Sequence, residues 1–173
     1  MSRTKIALCT FAVGLGLIAC SSAGAPSRGT YTIAFPSTAA AVATDFVQIL
    51  VFDVNGDRAT LCQDLVGTRI SSPDDLVPTV NPPAPPTNIC ELHANVKPIE
   101  IPYGEHALLA IGSRRQGDST GTKDFLIGCA IMTIGDGDAP VAIPMRLINV
   151  NFPVPPTKCA SVGDFCATDG KCN

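Results

Sequence analysis

The sequence predicts an all-β fold: an antiparallel β-sandwich of about seven strands with a small disulfide-rich C-terminal tail. Three observations carry that prediction. Apolar residues come in strand-length runs punctuated by Gly, Pro, Asn and Asp, and no long stretch repeats at helical period. Aromatic residues make up only 5% of the chain and tryptophan is absent, so Val, Ile and Leu must fill the core. Six cysteines lie beyond residue 60 (Cys62, Cys90, Cys129, Cys159, Cys166 and Cys172), an even set of the kind that staples exported domains. Many short strands, tight turns and no long helix point to a sandwich.

Residues 1–19 read as an export signal. Met-Ser-Arg-Thr-Lys is a basic start, and Ile6 to Ala19 carries no charge. That run is short for a membrane span, which needs about 20 apolar residues. Leu17-Ile18-Ala19-Cys20 resembles the lipobox of bacterial lipoproteins. The resemblance implies that Cys20 receives a thioether-linked diacylglyceryl group and becomes the first residue after cleavage. Two acyl chains give the stable attachment that one chain does not. Ser21 stands where, in that family, an aspartate would favour inner-membrane retention, so in a diderm the implied location is the outer membrane, on its periplasmic or surface face. An ordinary cleavage site, Ala23-Gly24-Ala25, is the rival and would leave Pro26 as the new N-terminus. Cys9 reads as one more apolar residue of the removed segment.

Cleavage before Cys20 removes Arg3 and Lys5 and leaves ten basic against fifteen acidic residues. That balance argues against nucleic acid and against a basic membrane-binding patch. The remaining 154 residues suit one domain with a sizeable core. Residues 20–28 form a tether of small residues, residues 29–152 the sandwich, and residues 153–173 the tail. Scarce Trp and Tyr weigh against a carbohydrate platform.

"TYTIAF" opens the sandwich, with Tyr31, Ile33 and Phe35 alternating with Thr30, Thr32 and Ala34 as in a strand with one buried face. "PSTAAAVATD" reads as a short helical turn or loop. "FVQILVFD", Phe46 to Asp53, is apolar on both faces apart from Gln48 and is expected as a central strand. The Asn55-Gly56 turn after it is a hairpin signal. Beyond Leu61-Cys62 the chain reads as irregular. Residues 71–89 hold six prolines, which supply no N–H and fix φ, so they form an extended loop and not an interior strand. A Cys62–Cys90 bridge is expected to close that loop, a constraint worth about 3.5 kcal/mol by loop entropy.

The second half is regular again. A short strand is expected at Ile99 to Ile101, a turn at Pro102 to Gly104, and strands at His106 to Gly112 and Asp124 to Ile134. The polar stretch "RRQGDSTGTK" joins the last two, and "GDGD", residues 135–138, turns into a final strand from Val141 to Phe152 that contains Pro144. "IPYGEHALLAI", the polar turn, the apolar strand and "VAIPM" together resemble the end of transthyretin-like and collagen-adhesin B-type modules. The likeness spans about 50 residues and implies only the sandwich; immunoglobulin-like topology fits almost as well. The tail, "CASVGDFCATDGKCN", is too small to bury a core and must be stapled. Its three cysteines are odd in number, so one is expected to reach Cys129 in the sandwich while the other two join each other.

No catalytic constellation is visible: G-x-S-x-G and H-E-x-x-H are missing from the sequence, and S-x-x-K is missing from the chain beyond the expected signal. Glu105 and His106 are neighbours on a strand and should point to opposite faces. His106 reads as an edge residue, His93 as a solvated one, and Arg114-Arg115 as a solvated turn tip. No cofactor is expected. No metal is expected either. The tail spacing C-x6-C-x5-C lacks a C-x-x-C pair, and in Asp53-Val-Asn55-Gly-Asp57 the sixth position of a calcium loop is Arg58 where glycine is needed. The reading is a lipid-anchored, non-enzymatic envelope module that binds an envelope protein or glycan or serves structurally. Its rival is an enzyme whose site is assembled from scattered residues such as Glu105, His93 and His106.

Overall fold

The computed structural model describes residues 31–94, 101–116, 121–135, 141–149 and 153–172. The expected signal, Cys20, the tether, most of the Ile99–Ile101 strand, most of the "GDGD" turn and the end of the Val141–Phe152 strand lie outside these residues. In chain order the elements are β1 (Tyr31–Ala34), α1 (Thr38–Val42), β2 (Phe46–Asp53), α2 (Arg58–Ser71), β3 (Thr87–Asn88), α3 (Ile89–His93), β4 (Gly104–Arg115), β5 (Thr122–Ile134), β6 (Val141–Leu147) and α4 (Val162–Ala167). A 3-10 turn at Pro73–Asp75 follows α2.

The protein is rich in sheet, but the strands form one curled mixed sheet in the order β1-β6-β5-β4-β2-β3. This departs from the expected pair of antiparallel sheets in two ways. β1 runs parallel to β6, which a sandwich of hairpins does not require. Among the described residues helices, and no second sheet, cover the faces. β4 is buried from His106 to Ser113, the signature of a strand covered on both sides. Its even-numbered residues Leu108 and Ala110 join a core with Val47, Ile49, Val51, Met132 and Ile143, against which α1, α3 and α4 pack. Its odd-numbered residues Ala107, Leu109 and Ile111 join Leu50, Phe52 and Ile127 beneath Leu65 and Val66 of α2.

α2 is the main correction to the sequence reading, which gave this stretch a hairpin turn followed by irregular chain. Gly56, at φ +88, turns the chain out of β2, and Asp57 then caps the helix by accepting from the Ala59 N–H at 2.8 Å. Asn55-Gly56-Asp57 is therefore a strand-to-helix turn with an N-cap, not a hairpin. Leu61, Cys62, Leu65 and Val66 fall at helical spacing on the face turned to the sheet. The helix ends where Ser72 N–H reaches the Thr68 carbonyl and Pro73 follows.

β2 lies one place from the sheet edge, because β3 pairs with it only at Phe46 and Val47. The proline-rich loop protects the rest of that edge. Thr79 N–H donates to the Val51 carbonyl at 2.7 Å, Asp53 N–H donates to Thr79 Oγ1 at 2.7 Å, and Gln48 Nε2 donates to the Ala84 carbonyl at 3.0 Å. An exposed strand edge invites pairing with another chain, and a loop tied along it blocks that.

Between Gly112 and Ser113 the β4–β5 register skips Phe125 of β5, passing from Gly112–Leu126 to Ser113–Asp124. This bulge turns Phe125 into the first core, and its carbonyl accepts from Ile148 N–H at 3.1 Å instead.

Candidate functional site

The six cysteines of the body and tail form three bridges: Cys62–Cys129, Cys90–Cys166 and Cys159–Cys172. The expected Cys62–Cys90 bridge is overturned. α2 carries Cys62 onto the face where Cys129 packs, whereas Cys90 on α3 packs against the other face. The expected link from Cys129 to the tail fails for the same reason, since Val162 and Phe165 of α4 lie against the face opposite Cys129. A tail cysteine does reach the body, but it is Cys166 to Cys90, and the other two tail cysteines pair with each other. By chain entropy the long loops, separations 67 and 76, are worth up to about 4.5 kcal/mol each and the short one, separation 13, about 3 kcal/mol.

The tail is further ordered by α4, whose N-cap Ser161 accepts from Asp164 N–H at 3.0 Å while Asp164 accepts from Ala160 N–H at 3.1 Å. Asp164 also lies near the sulfurs of Cys159 and Cys172. Those sulfurs are joined to each other, so they offer no thiolate to an ion.

A shallow cleft of about 290 Å³ opens between α2, β2 and the proline-rich loop. Gln48 and Leu50 form its floor, Arg69 one wall, and Leu76, Val77 and Pro78 the rim. Val77 is 76% exposed. Arg69 is held by Asp124 at 2.8 Å, so its position is fixed by β5 as well as by its helix. The cleft was not read from the sequence. Its one visible signal was Gln48, a lone amide inside an apolar strand, whose Nε2 now orders the loop.

The residues considered for chemistry are spread apart. Glu105 turns toward α2 and pairs with Arg58. His106 turns to the opposite face, 6% exposed, and faces Asp53 on β2 at 3.3 Å. His93, exposed at the end of α3, lies against Gly163 of α4. Arg114 and Arg115 are not turn-tip residues, as the sequence reading had them. They end β4, with Arg114 over the ring of Phe125 at 5.7 Å and Arg115 over Phe46 at 5.2 Å. Arg115 N–H also donates to Asp45 at 2.7 Å. In the Asp53–Asp57 segment, Asp57 is engaged as the α2 cap and Asp53 faces His106.

Among the described residues no helix is long and apolar enough to cross a membrane. No protein-family model, no curated protein and no solved structure matches the chain.

Proposed function

We propose that this chain is a lipid-anchored component of a bacterial envelope, attached through Cys20, whose folded domain is a non-enzymatic binding or structural module. The observation that carries the reading is the Leu17-Ile18-Ala19-Cys20 sequence placed shortly before a domain that engages all its remaining cysteines in bridges. Three bridges form and persist only in an oxidising compartment. Cys20 is the one cysteine left for another chemistry after the signal is removed. Ser21 to Arg28 spans at most about 28 Å when extended, so the domain works close to the membrane.

The non-enzymatic half of the proposal rests on geometry. Glu105 and His106 face opposite sides of the sheet, and Glu105 already has a cationic partner. The surface offered to a partner, an envelope protein or glycan, is the cleft under the proline-rich loop. Its rim is apolar with Val77 exposed, and its floor lies on β2.

Mass spectrometry of the mature N-terminus with membrane fractionation tests the anchor. The expected result is an acylated Cys20 in the membrane fraction, and for Cys20→Ala a product that is neither acylated nor normally processed, with the domain still folded. A wild-type protein that is soluble and starts at Pro26 would refute it. Cross-linking in envelope extracts tests the binding role: Val77→Asp should reduce capture of the partner without changing the fold, and equal capture would exclude the cleft.

A further inference from the structure

β4 places His106 directly opposite Asp53 of β2. The ring is buried, and its two nitrogens have different surroundings. Nε2 lies 3.3 Å from the carbonyl oxygen of Tyr103. A carbonyl only accepts, so this contact puts the ring proton on Nε2 and leaves Nδ1 as the lone-pair atom. The turn that brings the carbonyl round passes through Gly104, at φ +118, where a Cβ would come within 3.6 Å of Nε2. Nδ1 is buried and, among the described residues, has no hydrogen-bond partner. It faces Asp53 Oδ1 at 3.3 Å.

Two lone-pair atoms held this close need a positive charge between them. A proton would serve if it lay near the line from nitrogen to oxygen, but the pair does not meet hydrogen-bond geometry. A metal ion relaxes that demand. In a tetrahedral site with ligand distances of about 2.0–2.1 Å, two ligand atoms lie about 3.3 Å apart and the carboxylate oxygen lies about 35° off the axis from nitrogen to metal. The observed separation is that tetrahedral edge. The Tyr103 carbonyl takes the place of the acceptor that metal-bound histidines almost always have on their other nitrogen. Asp53 is half exposed, so its carboxylate is open to solvent on the side away from the buried ring.

We propose that His106 Nδ1 and Asp53 Oδ1 bind a divalent transition-metal ion of the zinc class, with solvent as the remaining ligands. Imidazole selects such ions over calcium or magnesium. The ion clips the end of β2 to the start of β4, beside the turn into α2.

The test uses the oxidised full chain without a polyhistidine tag, stripped of metal and dialysed against zinc in the micromolar range. One zinc per chain is expected, with a zinc-dependent shift of the His106 Nδ1 resonance while Nε2 keeps its proton. His106→Gln and Asp53→Asn should each weaken that site at least tenfold, and His93→Gln should leave it unchanged. Asp53→Asn, at a half-exposed position, decides the matter if His106→Gln fails to fold. Equal zinc binding by wild type and Asp53→Asn would place the ion elsewhere, for example on the thiols of Cys9 or Cys20, and overturn the proposal. Protonation of both His106 nitrogens with no zinc-dependent shift would overturn it in favour of an imidazolium–carboxylate pair.

Discussion

Cys62 and Cys90 stand on opposite faces of one sheet, the first bridged from its covering helix to a strand of the sheet and the second bridged to a neighbouring helix on its own face. The first bridge fixes α2 to β5, and the second fixes α3 to α4. The 27 residues between them, including the proline-rich loop, are thus held at both ends by separate anchors and along their length by hydrogen bonds to β2.

This arrangement predicts the peptide map. Non-reducing digestion should yield Cys62–Cys129, Cys90–Cys166 and Cys159–Cys172 as linked pairs. Replacing both Cys62 and Cys129 by alanine, which leaves no stray thiol, should lower unfolding free energy by up to about 4 kcal/mol in the chain-entropy account. Chemical denaturation measures it, and a loss under about 1 kcal/mol would mean that α2 stays docked by packing alone.

The cap of α2 gives a smaller and separable effect. Asp57→Ala removes the acceptor for Ala59 N–H at the helix start and should cost about 1 kcal/mol. The denaturation midpoint should fall while the slope is unchanged, because the surface exposed on unfolding stays the same.

The strands were legible because their patterns are local. The Tyr31–Ala34 alternation, the apolar run Phe46 to Asp53 and the long strands on either side of the polar stretch at 116–121 all appear near their expected places. α2 was not legible for a physical reason. Thr60, Gly67 and Thr68 are poor helix formers, and Asn55-Gly56 signals a hairpin as strongly as a helix entry. The helix is stabilised by docking Leu65 and Val66 and by the bridge to Cys129, both long-range. Missing that helix also produced the wrong disulfides, since only its docking shows which face Cys62 occupies. Asp53 and His106 are separated in sequence by α2 and the whole proline-rich region and meet only through the β2–β4 register, which no spacing rule exposes.

Two glycines should respond in opposite directions to the same substitution. Gly128 of β5 pairs with Met145, and a Cβ there would fall 2.3 Å from the Pro144 carbonyl oxygen and 2.9 Å from its carbon. Both obstacles are backbone, so β6 would have to move, and β6 is also tied to β1. Gly128→Ala should therefore destabilise at or above the overpacking range, about 3 kcal/mol or more. Gly67 sits inside α2 with nothing within 4 Å of its would-be Cβ. There alanine meets no steric objection and restricts the unfolded chain, so Gly67→Ala should stabilise by about 0.5–1 kcal/mol. Denaturation of the two variants side by side measures both signs. A stabilised Gly128→Ala would show that β5 and β6 do not approach closely, and a destabilised Gly67→Ala would show that residue 67 is not in an exposed helical position.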